Sequence, residues 1–505
     1  MRNTLIFLLF SFLLAACTPE GPSCYYLDAT AGDDSHSGLS ADKAWKSLAR
    51  LREVRLKPGE KVLLKRGETF TGELEISGQG TSENRIYIDA YGEGEQKPCI
   101  VGCDTSLYAA RIYNSDYVTF QNLEIVNTGK EPLPYRSGLK IESTDYGVSQ
   151  NIIVNNVTVR DVNGSLVKGK GGGCGIYIVN GGNEKVSVFD RLTIENCHIL
   201  RCTRNAMIWA AYSDRQNWHP SKHTVIRRNL IEEVPGDGIV PIGCDSTLIE
   251  YNVMRNCPDI LPDTEAAAGI WPWSCDNTVV QFNEVSGHKA PWDAQGFDSD
   301  WNCRGTVIQY NYSHDNYGGL VLVCNDGEAS KSFNAGNIGT IVRYNISIGD
   351  GVRPKPTRAG MFSPAIHLAG PVKDSHIVRN IIHVNRKPAA DIDRTMLTSD
   401  SWGGYPDSTF ISENIFYTPE RSRFNLTEST NNFFEANYYI GDFERLPSDG
   451  KVHGTADIYR KEILTGDEDG YKGLALLMDT VEVVGMKGTF VNQEAIEAFF
   501  NRLKE

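Results

Sequence analysis

Asp298 and Asp300, in the segment GFDSD, stand two residues apart. On an extended strand such residues share one face, with Cα atoms about 6.6 Å apart. Two carboxyl groups at that range divide acid and base work, because mutual repulsion raises one pKa and lets that group keep its proton while the other ionises. At a glycosidic bond, one would protonate the leaving oxygen and the other would attack or activate water. Trp271 and Trp273, in GIWPW, repeat the same spacing. An outward pair of indoles suits the apolar face of a sugar ring. Asp237 in PGDGI and Asp293 in the insertion HKAPWDAQ add two further candidate catalytic carboxyls. Trp292, Trp301, His288, His314 and His367 are candidate substrate-binding side chains, with Lys289 and Glu265 in the neighbouring insertions.

These residues need a rigid wall, and the sequence describes one. An alternating apolar and polar phrase ending in Asn recurs at Asn122, Asn156, Asn196, Asn229, Asn252, Asn283, Asn311, Asn345, Asn380, Asn414 and Asn437, at spacings of 23 to 40 residues. Period-two alternation marks strands, and a unit of this length marks a solenoid. The fold class expected is therefore all-β, a single-stranded parallel β-helix with Asn at each corner, where stacked amides hydrogen-bond along the stack and tolerate a left-handed backbone. A second strand follows each Asn phrase, aligned on Gly175, Ala206, Gly238, Gly269, Gly296, Gly319 and Ala365. Alternation then turns Ile176, Met207, Ile239, Ile270, Phe297, Leu320 and Ile366 inward. It turns Tyr177, Ile208, Val240, Trp271, Asp298, Val321 and His367 outward in one row, and Val179, Ala210, Ile242, Trp273, Asp300, Val323 and Ala369 in the next. Cys244, Cys275 and Cys303 fall in register just past this strand. They read as a buried ladder of thiols, with a metal site as the sharper alternative although no His or second Cys sits at ligand spacing. Asp33 and Asp34 read as a capping turn, or alternatively as a calcium site.

The chain has 505 residues, 64 acidic and 50 basic, a formal net charge of −14. That balance excludes a nucleic-acid binder working by phosphate neutralisation. With 40% apolar and 10% aromatic residues the chain has ample side chain to bury. Residues 1–16 carry Arg2 and an apolar run too short for a bilayer, as in a secretory leader, and Leu14-Ala15-Ala16-Cys17 fits lipidation at Cys17. Residues 17–24 would be a tether, 25–98 an N-terminal cap with a helix over 41–51, 99–445 the β-helix, and 446–505 a helical closing segment. An exported bacterial lipoprotein of the periplasm or outer-membrane surface is expected, monomeric and bound to the membrane by its lipid alone.

The opening YYLDATAGDDSHSGLSADKAWKSL with LKPGEKVLLKRGETF, and the segment QGFDSDWNCRGTVIQYNYSHDNYGGLVLVC, resemble exported right-handed parallel β-helix enzymes of the pectate-lyase-like superfamily, including glycosidases of gut Bacteroidota. The resemblance covers about residues 25–440 and implies a right-handed coil and a glycan substrate, with Asp298 or Asp300 as acid or nucleophile. The Asn-Thr-Asp, Asp-Asp and Gly-His-Gly signatures of polygalacturonase-type hydrolases are missing. The leading expectation is a glycoside hydrolase without metal or cofactor. The alternatives are a polysaccharide lyase assisted by calcium, or a glycan-binding lipoprotein using its tryptophans alone.

Overall fold

The computed structural model describes residues 22–328, 334–384, 391–448 and 493–502. The leader, Cys17 and most of the tether lie outside the described residues, as does the helical segment expected near residue 455. Each coil sends one strand to each of three parallel faces. The first runs from Cys24–Leu27 and Lys61–Lys65 to Thr430–Glu435. A second face follows each Asn corner, from Thr69–Thr71 to Tyr438–Phe443. The third face carries Cys174–Gly181, Asn205–Ala210, Ile239–Val240, Phe297–Ser299, Val321–Cys324, Ile366–Ala369 and Thr395–Asp400. Inward rows of Ile, Val, Leu and Phe fill the coil from end to end and are almost all fully buried, each worth about 1.5–3 kcal/mol of transfer energy. Among the described residues no helix is long and apolar enough to cross a membrane.

The corner asparagines fall into two sets. From Asn229 to Asn437 the amides point inward, and each side chain donates to the Oδ1 of the next coil's Asn at 2.9–3.0 Å. The left-handed residue is the one before, from Arg228 and Tyr251 to Ala436, with φ of 53–58°. On the earlier coils Asn122, Asn156 and Asn196 themselves take φ of 52–59° and face out, and Leu123, Val157 and Cys197 fill the inward position. The motif thus slips by one residue at Asn229. A left-handed backbone on Tyr251, Phe282, Tyr310 and Tyr344 is costly. It is offset by the amide ladder and by continuous ring stacking at 5.1–5.3 Å.

Two further expectations change. The cap holds short 3₁₀ turns at Ala41–Lys43 and Leu48–Glu53 in place of one helix. Trp45 breaks it by joining the first face, its N–H donating to the Tyr26 carbonyl and its carbonyl accepting from Asp28, while its ring stacks on Tyr25 at 5.2 Å. On the third face, Phe297 pairs with Val321 and Val321 with Ile366. Leu320 holds the position expected of Gly319, so Val321 and Val323 point inward, and Leu322 and Cys324 replace them on the outer wall. Cys244, Cys275 and Cys303 are fully buried, and the Cys244 N–H donates to the Cys275 sulfur at 3.3 Å. All eleven described cysteines are free thiols. Asp34 accepts from the Lys46 and Ser47 N–H groups and so ties a turn in the cap. The helix Gln493–Arg502 lies against the aromatic stack, with Glu497 accepting from the Tyr310 hydroxyl.

Candidate active site

On the outer wall of the third face, strand pairing sets Val240, Trp271, Asp298, Leu322 and His367 in one row. Ile242, Trp273, Asp300, Cys324 and Ala369 form the next. Two insertions rise beside these rows, and their strands Ala266–Ala267 and Trp292–Asp293 pair in parallel. Between the insertions and the wall lies a cavity of about 170 Å³, the liquid volume of about six waters. Asp237, Asp293, Asp298 and Asp300 all line it, with Trp271, Trp292, Trp301 and Trp402 as aromatic sides and Lys168 at its rim.

The loop bearing Asp293 is clamped. Arg353, buried and sixty residues further on, donates to the carbonyls of Ala290, Pro291 and Asp293 at 2.6–2.9 Å. Asp293 and Ala294 both take a left-handed backbone, φ 61° and 65°, a strain that marks functional loops when the surroundings enforce it. Gly318 makes room for the loop, since a Cβ there would lie 2.3 Å from the Asp293 carbonyl oxygen.

Asp237 is committed to other groups. Its Oδ2 accepts from Arg204 at 2.7 Å, and its Oδ1 accepts from the Ala268 N–H and the Trp271 indole N–H, each at 3.1 Å. Arg204, wholly buried, also donates to Asn205 and the Ala266 carbonyl and pairs with Glu265 at 3.2 Å. This network aims Trp271, and Asp237 is therefore a support for the wall and not a free acid. Lys168 sits 5.1 Å above the Trp271 ring.

The other three aspartates share the cavity with few cations. Burial and the neighbouring Asp300 push Asp293 up to about 7. Burial, then Asp293 and Asp300, drives Asp298 well above the usual carboxylate range. Asp300 is also raised by burial, against the opposing hydrogen bonds from the Cys324 thiol and the Trp301 N–H at 3.1 and 2.6 Å. Asp298 Oδ1 is buried and has no hydrogen-bond partner. Three carboxyls sharing one cavity titrate as a coupled set, each raised by burial.

The expected binding residues divide. Trp271, Trp292 and Trp301 line the cavity, whereas Trp273 packs edge-on against Trp301 at 6.5 Å and sits behind it. His288 is wholly buried under the insertion. Its Nε2 donates to the Gly236 carbonyl at 2.9 Å, and burial lowers it to about 4, so it is a neutral prop for the turn that carries Asp237. His367 occupies the outer row beyond Leu322, between Phe362 and Trp402, and does not line the cavity. His314 is on the second face, outside this site, because its strand precedes the corner that leads to the third face. There it is held by Glu284 and Asp315. Arg204, Arg353, Cys324, Lys168 and Trp402 were not singled out from the sequence. Among the described residues no group of three or more His, Cys, Asp or Glu side chains is placed to hold a metal ion. A larger cavity of about 570 Å³ lies further along, near Phe362 and Arg394. Its arginines pair with acids at 3.4–3.8 Å, and it contains none of the four aspartates.

Fold and site together define a right-handed parallel β-helix with a carboxyl-rich cavity on its outer wall. Residues 174–342 match the family model described as a right handed beta helix region. The chain is 26% identical over 541 aligned positions to a lacto-N-biosidase of Bifidobacterium longum subsp. longum, covering 88% of this chain and 32% of that protein. It thus spans about a third of the length of that curated relative. Among solved structures it is similar to the GH136 lacto-N-biosidase from Eubacterium ramulus, as selenomethionine derivative and native protein. The TM-scores are 0.59 and 0.58 at 24% identity, covering 83% of this chain and 68% of that one. That similarity establishes the fold.

Proposed function

We propose that the protein is a glycoside hydrolase in which Asp293 is the general acid and Asp300 the nucleophile or general base. The carrying observation is that the two face one cavity with opposed environments. Asp293 sits near 7, where a carboxyl can both hold and release a proton at working pH. Asp300 has two donors that favour its charged form. The proton of Asp293 passes to the glycosidic oxygen as the bond to the anomeric carbon breaks. That carbon bonds to an Asp300 oxygen, or to a water whose proton Asp300 takes. The cavity tryptophans would stack on sugar faces and hold the ring for in-line attack.

The finer reading is cleavage of a lacto-N-bioside, supported by the names of the relatives. Incubation with an aryl lacto-N-bioside and with lacto-N-biose-terminated oligosaccharides should release the aryl group and the disaccharide. Release of unsaturated uronates from acidic polymers, seen by ultraviolet absorbance and abolished by a chelator, would instead establish a lyase. Failure on every glycan, with retained binding, would leave only a lectin-like role. The leader and Cys17 support an exported, lipid-anchored protein, so Cys17→Ala should move it from the membrane to the soluble fraction.

A further inference from the structure

Asp298 has a buried oxygen, Oδ1, without a hydrogen-bond partner, and the Leu322 backbone N–H donates to the rest of its carboxyl. The residue is 4% exposed and lies on the wall between Trp271 and Leu322. The charged groups that surround it are accounted for. Asp293 rises on the insertion side, Asp300 follows on the same strand, and Asp237 lies behind Trp271, paired with Arg204. Arg353 spends its bonds on three loop carbonyls, and Lys168 stands over the Trp271 ring at the rim. The remaining titratable neighbour is the Cys324 thiol, which donates to Asp300. No cation among the described residues hydrogen-bonds Asp298.

A charged carboxylate left this way would face three other carboxyls with only the Leu322 backbone N–H opposing them, an arrangement poorly compensated for a buried charge. A neutral carboxyl, by contrast, offers one O–H donor and an acceptor. We infer that Asp298 is neither the acid nor the nucleophile but a neutral carboxyl that donates to an acceptor oxygen of the bound sugar, and that the cavity therefore takes an uncharged ring. This rests on the hydrolase reading. The orphan oxygen gains its partner when the ring enters, and the cost of leaving it unmade is relieved in the complex. The same crowd of carboxyls selects against uronates and other anionic rings, which would bring a further negative charge to a pocket with one lysine at its edge.

The test compares Asp298→Asn, which keeps a donor of the same shape, with Asp298→Leu, which removes it. Asp293→Asn and Asp300→Asn serve as references, all assayed on a lacto-N-biose-terminated oligosaccharide. Asp298→Asn should stay within about tenfold of the parent in kcat/KM and Asp298→Leu should fall by about 10–100-fold, while both reference variants should fall by about 10³ or more. If Asp298→Asn falls as far as the references, Asp298 is itself the acid or the nucleophile. If Asn and Leu fall equally, it is no donor; either result overturns the inference. Infrared difference spectroscopy gives a readout that needs no turnover. At about pH 9, above the range in which Asp293 titrates, the carbonyl stretch of a protonated carboxyl should persist in the parent and be lost in Asp298→Asn, and its absence from the parent refutes the neutral state. An inactive parent that still shows this band would overturn the hydrolase reading and not the protonation of Asp298.

Discussion

Removing the charge of Asp293 should stabilise the fold and cripple the chemistry at once. Asp293 moves from an ordinary 3.8 to about 7 on folding, a difference of about three units, each worth 1.36 kcal/mol. The sign follows from proton uptake. A carboxyl whose pKa is raised in the folded state binds more protons there than in the unfolded chain, so stability falls as pH rises between the two values. Below pH 4 nothing is lost, and above pH 7 the full penalty stands. Its ceiling is about 4 kcal/mol, and because the side chain is partly exposed about 2 kcal/mol is expected. Asp293→Asn removes that penalty. Its thermal midpoint should match the parent at pH 4 and exceed it by several degrees at pH 8, read by scanning calorimetry at constant ionic strength. In the same variant, hydrolysis of a natural oligosaccharide should fall by about 10²–10⁴, the contribution of a positioned acid. An aryl glycoside, whose leaving group needs little protonation, should be hit less. In the parent, kcat/KM should fall as pH rises through about 7, and that limb should disappear in the variant. Equal loss on both substrates, or an unchanged dependence of the midpoint on pH, would refute the assignment of Asp293 as a raised, proton-donating carboxyl.

Three other outcomes follow from the same geometry. Arg204→Met leaves Asp237 and Glu265 buried without their cation and should cost about 3–5 kcal/mol, seen as a lower denaturant midpoint and an altered Trp271 near-ultraviolet signal. Asn311→Ala breaks the amide ladder in its middle, since Asn311 bonds Asn283, Asn345 and the Val280 carbonyl. The buried partners it strands should cost about 2–4 kcal/mol, measured by equilibrium unfolding. Cys324→Ser replaces a weak thiol donor to Asp300 with a stronger hydroxyl, which favours the carboxylate and should move the acid limb of the rate profile to lower pH. Cys324→Ala should move it up.

The scaffold was readable because a solenoid repeats its grammar. Asn at each corner and apolar residues at every second position recur often enough that one slipped phrase does not hide the coil. The outer rows followed from that grammar as far as Asp298 and Asp300. They failed one coil later, where adjacent glycines at 318 and 319 left two alignments and Leu320 took the small-residue position. A one-residue slip exchanges the two faces of a strand, and it concealed the Cys324 thiol that touches Asp300. The support of the site was harder to see for a different reason. Arg204 and Arg353 act on loops sixty or more residues away, and no local pattern encodes a contact of that range.

The same contrast bears on how such a wall becomes a site. Strand pairing alone would repeat one surface from coil to coil, with Asp298 and Asp300 on it as solvated carboxylates of ordinary acidity. Their environment changes because the Trp292–Asp293 insertion, held by Arg353 and seated on Gly318, closes over that surface. The closure brings a third carboxyl to the pair and restricts the water around all three; burial raises each of them, and the neighbouring carboxyls add to it at Asp293 and Asp298. The regular coil fixes where the carboxyls stand. The irregular loop decides which of them keeps a proton, and the chemistry of the cavity depends on that decision.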